Sequence, residues 1–219
     1  MTLDLAPDCL VAGFDAVGLG AIWGPVVASV VVARFDWTPS PSIVIRDSKT
    51  MSGLQREKAN RYLLSGQSGI LGYCTVFLSV EQYNELGPRK VENAAFWHLL
   101  VDIDKGASEC PVLLIDGKYE IVPPPGFNTP ENFALLHRYR QHAVPKADSL
   151  FPAVSAASIL AKEARDSWVR EVVKNGEVSP RYGMDRHVGY GTPEHCGVIK
   201  AIGLHKFHRK SAWKFARDS

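Results

Sequence analysis

Two apolar segments rich in β-branched residues, Leu10–Phe14 and Val26–Phe35, are joined by a glycine-rich turn that starts at Asp15. Segments of this length and composition are typical of core strands, so we expect a strand pair near the N-terminus. The stretch 16–33 carries no charge. Glycines and a proline interrupt it and an aspartate precedes it, which favours a turn and a buried strand over a transmembrane span.

Strands and helices alternate along the rest of the chain, which is typical of a layered α/β domain. The 219 residues suit one domain, and we place its body at residues 1–175 and a basic C-terminal extension at 176–219. Strand patterns occur at Leu71–Val80 and Val112–Asp116. Helix patterns occur at Ser52–Leu64, Pro88–Ile103, Pro152–Lys174 and Pro193–Ile202.

The positive charge is concentrated at the C-terminal end. From Arg181 to Ser219 there are eight Lys and Arg against three Asp and Glu, whereas the whole chain has a net charge of only +2. A basic end on a neutral body favours a polyanionic partner such as nucleic acid, although a solvated helix face gives the same pattern.

The four cysteines, Cys9, Cys74, Cys110 and Cys196, are far apart and form no CxxC pair. This spacing argues against a structural zinc site and favours free thiols in a reducing compartment. Because we find neither an export signal nor a membrane span, we expect a cytoplasmic protein without a membrane partner, and we expect it to be a monomer.

Three aspartates are candidates for a metal site. Asp15 and Asp116 each close an apolar run, and Asp166 lies on an alanine-rich helix. Carboxylates that converge from separate elements could hold Mg²⁺ or Mn²⁺, which prefer hard oxygen ligands and can activate water against a phosphodiester. The structural alternative is that Asp15 and Asp116 cap turns and that Asp166 pairs with Arg165 or Arg170.

Seven segments of the chain form longer motifs: Gly13–Val27, Asp47–Lys49, Leu114–Gly117, Lys146–Asp148, Ser155–Asp166, Tyr182–His195 and His208–Ser211. Together they make the sequence resemble the ribonuclease HII, or type-2 ribonuclease H, family over nearly its full length. The resemblance implies an RNase H-like α/β fold with a central mixed β-sheet, flanking helices and a helical C-terminal portion. It also implies cleavage, dependent on Mg²⁺ or Mn²⁺, of RNA–DNA hybrids and of single ribonucleotides embedded in DNA.

The family holds its metals with four acids, and by resemblance three of them carry over to Asp15, Asp116 and Asp166. The fourth is a glutamate directly after the first aspartate, and this chain has Ala16 there. The family's turn also normally contains an arginine between two glycines, where this chain has Leu19. Both departures remove groups that would contact the metal or the substrate.

The resemblance also implies a set of substrate-binding residues. Gly18 and Gly20 would bring backbone groups to the ribose 2′-hydroxyl, and Tyr190 would stack on the adjacent deoxyribose. Other family positions near phosphate, or supporting the site, map to Lys49, Ser158 and Lys162. In the basic extension we expect Lys200, Lys206, Arg209 and Lys210 to hold the DNA backbone in a salt-dependent manner.

Three functional hypotheses remain open from the sequence. The chain is a slow or altered type-2 ribonuclease H that uses three aspartates, a catalytically inactive hybrid-binding protein, or a nuclease of changed specificity. Loss of a metal-facing acid commonly costs on the order of 10²-fold or more in rate. A further hypothesis is that Glu163, three residues before Asp166 on the same helix, supplies a substitute carboxylate.

Overall fold

The computed structural model describes residues 3–106 and 111–218, and its centre is a five-stranded mixed sheet. The strand order is β3-β2-β1-β4-β5. β2 pairs antiparallel with both β1 and β3, whereas β1, β4 and β5 run parallel to one another. The strands are β1 (Leu10–Val17), β2 (Val26–Arg34), β3 (Gly72–Leu78), β4 (Val112–Asp116) and β5 (Gln141–Val144).

Helices cover both faces of the sheet, so the predicted α/β architecture is confirmed. One apolar cluster lies between the sheet and α4, and a second lies between the sheet and α2. The helices are α1 (Gly53–Leu64), α2 (Val80–Gly106), α3 (Pro130–His137), α4 (Pro152–Lys174), α5 (Met184–His187), α6 (Pro193–Ile202) and α7 (Ser211–Asp218).

The alanine-rich start of α4 lies unusually close to β1. A Cβ atom added to Gly13 would come within 2.5 Å of backbone atoms of Ala153 and Val154, closer than real side chains approach. Close packing of this kind fixes the strand against the helix, because neither backbone can shift without a clash. Asp15, two residues further along β1, is therefore held on the face that α4 covers.

On the opposite face, α2 consists of two helical segments. Gly87, whose φ of 76° is not helical, separates a first segment that starts at Val80 from a second that starts at Pro88, the residue at which the sequence predicted the helix to begin. Since β3 runs in the same direction as β1 and leads directly into α2, the helix starts at the sheet edge where β1 ends. It then runs back across the sheet and packs Phe96 against Phe14, with ring centroids 5.7 Å apart.

The C-terminal segment packs on the body through a third apolar cluster, which joins Trp23 of the β1–β2 connection to α4, α6 and α7. An isolated β-bridge also pairs Trp23 with His208. The division at residue 175 stays a prediction. Cys9, Cys74 and Cys196 are free thiols, and Cys110 lies outside the described residues. None of the described helices has the length and apolar composition needed to cross a bilayer.

Candidate active site

Asp15 lies near the end of β1 with only 2% of its surface exposed. Its Oδ1 accepts a hydrogen bond of 2.8 Å from the Ala16 amide, while its Oδ2 is buried without a hydrogen-bond partner among the described residues. Burial raises the pKa of Asp15 to about 7; the Asp116 carboxylate adds to the rise, and Ser158 and Lys49 oppose it. The site thus contains a buried carboxylate whose donors and neighbouring cation only partly offset its desolvation.

Asp116 closes β4 beside Asp15. Phe14 of β1 pairs with Ile115 of β4 in a parallel register, so the two aspartates that follow them lie at the same level of the sheet. The Asp116 Oδ1 accepts a hydrogen bond of 2.8 Å from the Ala147 amide. The carboxyl ends of neighbouring parallel strands thus bring these two predicted acids together, as expected for an α/β sheet.

The turn after β5 brings a third carboxylate, Asp148, to the same edge. Asp148 is 3% exposed, and its backbone oxygen accepts a hydrogen bond of 2.6 Å from the Ser155 hydroxyl of α4. Burial raises the pKa of Asp148, and the carboxylates of Asp116 and Asp47 raise it further. Sequence reasoning assigned no role to Asp148, although the motif Lys146–Asp148 was among the family-like segments.

Lys49 places an ammonium group among these acids, as predicted for a residue near the site. Its Nζ lies 3.8 Å from the Asp148 Oδ2, and 64% of its side chain is exposed. Burial alone would lower the pKa of Lys49, but the carboxylates of Asp15, Asp148, Asp47 and Asp116 outweigh that effect and raise it. An exposed cation beside buried acids is well placed to reach a phosphate.

The structure places Asp166 apart from this group. Its carboxylate is bound by Lys162 Nζ at 2.9 Å and by Arg56 Nη2 at 3.6 Å. Asp166 lies eight residues beyond Ser158, the α4 residue that influences Asp15, which corresponds to about 12 Å along a helix. The predicted triad of Asp15, Asp116 and Asp166 is therefore not brought together, whereas Asp148 lies beside Asp116.

Glu163 does not face the site either. Arg56 Nε binds its Oε1 at 2.9 Å, and Arg170 lies 3.8 Å from its Oε2. These cations hold the Glu163 carboxylate on the α1 side of α4, next to Asp166. The hypothesis that Glu163 substitutes for the missing acid is therefore not supported by its position.

The glycine-rich turn is shaped by buried contacts below it. Gly18 has a φ of 83°, and a Cβ atom there would lie 2.6 Å from Arg165 Nε, so the turn accommodates only glycine at this position. Gly20 is exposed, with open space around its Cα. The Leu19 side chain packs against the apolar cluster on the α2 face. The turn consequently presents backbone, without a charged side chain, to any ligand.

Tyr190 and Lys162 lie together next to this turn. Lys162 Nζ is 5.7 Å from the centre of the Tyr190 ring, and the guanidinium of the buried Arg165 is 5.4 Å from it. Ser158 is fully buried and shares a hydrogen bond of 2.8 Å with Ser48. Tyr190 is half-buried and can present one face to a ligand, whereas Ser158 supports the site from inside.

Of the four cations predicted to bind DNA in the basic extension, three are exposed lysines, but Arg209 contradicts its predicted role. Its side chain is fully buried and donates hydrogen bonds to the carbonyl oxygens of Leu19, Ala21 and Gly24. Arg209 therefore supports the glycine-rich turn from below and is not available to a DNA backbone. Of the predicted tail cations, the following remain exposed: Lys200, Lys206 and Lys210.

A cavity of about 510 Å³ opens beside Asp116 on the α2 face of the sheet. Glu92 of α2 lines it, and burial raises the pKa of this glutamate to about 7, with the Asp116 carboxylate adding to the rise. Nothing in the sequence indicated that Glu92 would lie here, since it sits mid-helix with no motif around it. Arg89, Lys90 and Lys118 also line the cavity.

The donor set fits a hard divalent cation, although the acids do not form a closed cage. Across the described ranges, no three His, Cys, Asp or Glu side chains lie close enough together to enclose a metal ion. Mg²⁺ and Mn²⁺ do not need such a cage, because they keep several water or phosphate ligands. The partnerless buried Oδ2 of Asp15 provides an unused ligand atom at the centre of the group.

Comparisons with known proteins agree with this architecture. The sequence model of the family described as Ribonuclease HII matches residues 12–216. A Ribonuclease HII from Burkholderia thailandensis is 33% identical over 215 residues, covering 94% of this chain and 84% of that protein. The match thus spans most of both proteins.

Two solved structures share the fold. The structure of the PCNA:RNase HII complex from Archaeoglobus fulgidus matches with a TM-score of 0.68 at 20% identity, covering 92% of this chain and 94% of that one. Bst-RNase HIII in complex with Mn²⁺ matches with a TM-score of 0.61 at 20% identity, covering 97% and 71%. The RNase H-like fold expected from the sequence is thereby confirmed.

Proposed function

This chain belongs to the ribonuclease HII family, and on that premise we propose that it hydrolyses phosphodiester bonds at ribonucleotides in RNA–DNA hybrids and in DNA containing single ribonucleotides. Family membership supports ribonuclease H activity and a nucleic-acid substrate. The observation that carries the proposal is the group of Asp15, Asp116 and Asp148 around Lys49, with a buried carboxylate oxygen that has no partner.

Asp15, Asp116 and Asp148 would hold the divalent cation, with Asp15 in the central position. A bound Mg²⁺ or Mn²⁺ would supply Lewis acidity for the attack of water on the scissile phosphate and for departure of the 3′-oxygen. The products would carry a 5′-phosphate and a 3′-hydroxyl. The Lys49 ammonium group partly balances the charge of these acids in the structure. With a divalent cation bound to the acids, Lys49 would be free to contact a phosphate.

The neighbouring groups would position the substrate. Gly18 and Gly20 would offer backbone to the 2′-hydroxyl, since the turn carries no bulky group that faces outward. Tyr190 would stack on a sugar, with Lys162 beside it. The exposed Lys200, Lys206 and Lys210 would contact the DNA backbone, and a salt-dependent affinity would follow.

A hybrid-binding protein without catalysis is the second candidate, and Ala16 is the observation that favours it. Alanine offers no oxygen to a cation, so the β1 turn carries one carboxylate fewer than the family pattern. The two candidates differ in cleavage and agree in binding, and one assay with a small set of variants separates them.

The test is cleavage of a duplex with one embedded ribonucleotide, in Mg²⁺ and in Mn²⁺. We expect the parent to cut slowly and Asp15→Asn to lose on the order of 10²-fold or more in rate. Asp148→Asn should lose as much, whereas Asp166→Asn should lose far less, because Asp166 is bound by Lys162 and Arg56. Equal losses of rate in Asp148→Asn and Asp166→Asn would support the sequence-based prediction that Asp166 is a metal ligand.

The variant Ala16→Glu completes this set. If only Ala16→Glu cuts while the parent binds the same duplex, the parent is a hybrid-binding protein whose chemistry is lost at position 16. If neither cuts and neither binds, the proposed substrate is wrong.

A further inference from the structure

The position of Ala16 shows which part of the molecule lies closest to the missing carboxylate. Side chains alternate along β1, so Phe14 and Ala16 share the α2 face, while Asp15 faces α4. Ala16 is only half-buried and packs at the margin of the apolar cluster on that face. A replacement carboxylate would therefore come most directly from α2.

Glu92 occupies the matching place on α2. The contact between Phe14 and Phe96 fixes the two elements relative to each other. Ala16 lies two residues after Phe14, about 6.6 Å further along the strand. Glu92 lies four residues before Phe96, about 6 Å or one turn back along the helix. Because α2 runs opposite to β1, both steps go toward the same edge of the sheet, where Asp15 and Asp116 lie.

The surroundings of Glu92 are those of a carboxylate that lacks a cation. Glu92 and Asp116 line the same cavity, and within the described residues Glu92 forms neither an ion pair nor a hydrogen bond. Three cationic side chains line that cavity without pairing with Glu92. At the same edge, Asp15 Oδ2 is buried and also without a partner. Asp15 and Glu92 each interact electrostatically with Asp116, and like charges so close together repel one another unless a cation balances them.

We propose that Glu92 supplies from α2 the metal-facing carboxylate that the β1 turn lacks at Ala16. The inference rests on the proposed function, since it places Glu92 at the same divalent site. With Glu92, the site of this chain would contain four acids: Asp15, Asp116, Asp148 and Glu92. Glu92 would come from α2, whereas the glutamate of the family pattern comes from the end of β1. Glu163, the other candidate, is held by Arg56 on the far side of α4.

The test measures Mn²⁺ binding alone by titration calorimetry at pH 8, above the raised pKa values of both acids. Glu92→Gln keeps the size of the side chain and removes its charge. We expect its Mn²⁺ affinity to fall by about tenfold or more, because one anionic ligand is lost. The matched control is Glu120→Gln, which removes an exposed carboxylate from the rim of the same cavity and should change affinity less than twofold.

A double variant tests whether the loss of Mn²⁺ affinity in Glu92→Gln comes only from disturbed folding. Adding Ala16→Glu to Glu92→Gln should restore most of the Mn²⁺ affinity, since it returns a carboxylate to the same space from β1. Unchanged affinity in Glu92→Gln, equal losses in the two glutamine variants, or a parent that binds no Mn²⁺ would each overturn the inference. Mn²⁺ binding that depends on Glu92 in a parent that cleaves no ribonucleotide-containing duplex would support it and overturn only the nuclease function.

Discussion

The presence or absence of a partner cation separates the buried and half-buried acids of this chain into two groups. Asp166 and Glu163 are nearly buried and are held by lysine and arginine side chains within 3 Å. Asp15 and Glu92 lack such partners, and burial raises the pKa of each to about 7. Acids of both groups are poorly solvated, but only those without a partner cation retain capacity for a ligand.

The substitution Asp15→Asn tests this distinction through stability. Because folding raises the pKa of Asp15 from 3.8 to about 7, the metal-free protein loses stability as pH rises through that interval. Asparagine can still accept the hydrogen bond from the Ala16 amide and never ionises. In EDTA at pH 8 we expect Asp15→Asn to be more stable than the parent by roughly 2–4 kcal/mol, with the difference vanishing near pH 4.

Urea unfolding of both proteins across this pH range measures the difference. A stability difference that does not change with pH would mean that the Asp15 carboxylate is better solvated than its burial indicates. Addition of Mn²⁺ should reverse the order at pH 8, since only the parent gains stability from the bound ion.

Strands and helices with a continuous run of apolar or alanine residues could be predicted from the sequence. A strand that exists only because it pairs with another strand could not. β4 and α4 begin and end at the predicted residues, because long apolar or alanine-rich runs determine them locally. β5 is only four residues long, begins with Gln141 and His142, and exists because it pairs with β4. Because β5 was not predicted, no sequence pattern placed Asp148 beside Asp116.

Charge alone was equally insufficient for placing the arginines. Arg209 lies in a basic run and was predicted to contact DNA, yet three backbone carbonyl groups of the β1–β2 connection bind its guanidinium. The Tyr83 ring lies 3.8 Å from it as well. Exposed and buried arginines have the same local sequence signal, and only the tertiary contacts distinguish them.

Neighbouring residues allow the two roles in the C-terminal segment to be separated. Arg209→Met should destabilise the protein by about 3 kcal/mol, since it leaves several buried carbonyl groups without donors. Lys210→Met, at an exposed position, should change stability by less than about 0.5 kcal/mol. It should instead weaken hybrid binding and reduce the dependence of log Kd on log salt by about one unit.

Chemical unfolding and binding titrations at several salt concentrations provide both measurements. If Arg209→Met left stability intact and flattened the salt dependence, the sequence-based assignment of Arg209 to the DNA backbone would be restored. A Lys210→Met variant with an unchanged salt response would remove that lysine from the proposed nucleic-acid surface.

At the scale of the whole molecule, the site lies where the body and the C-terminal extension meet. The ends of β1 and β4 contribute Asp15 and Asp116, whereas Arg209 of the extension supports the turn that carries Gly18 and Gly20. The apolar cluster around Trp23 connects that turn to α6 and α7. The geometry of the glycine-rich turn therefore depends on how firmly the extension is packed.

That packing includes a group of buried histidines, which makes it sensitive to acid. His195 Nε2 and His208 Nε2 lie 2.9 Å apart, and the His187 ring stacks on His195. Burial, together with the charge of neighbouring histidines, lowers the pKa of His195 to about 4 and that of His208 to about 3. His195 and His208 are consequently neutral at physiological pH.

Acidification should therefore loosen the extension. Below the unfolded-state pKa of 6.5, the unfolded chain takes up protons that folded His195 and His208 refuse, so stability falls as pH decreases toward about 3. Between pH 6.5 and 4 we expect a loss of roughly 3–6 kcal/mol from this pair. Protonation of Asp15 acts in the opposite direction over part of this range, so the histidine contribution must be isolated by a variant.

His208→Gln provides that variant, because glutamine can still hydrogen-bond to His195 but does not titrate. The stability difference between the parent and His208→Gln, measured by urea unfolding in EDTA, should shift by about 2 kcal/mol or more in favour of the variant between pH 6.5 and 4. Tryptophan fluorescence should report the same change, since Trp23 lies against His205 in this cluster. A constant difference over that interval would show that His208 is already protonated, or solvated, in the folded protein.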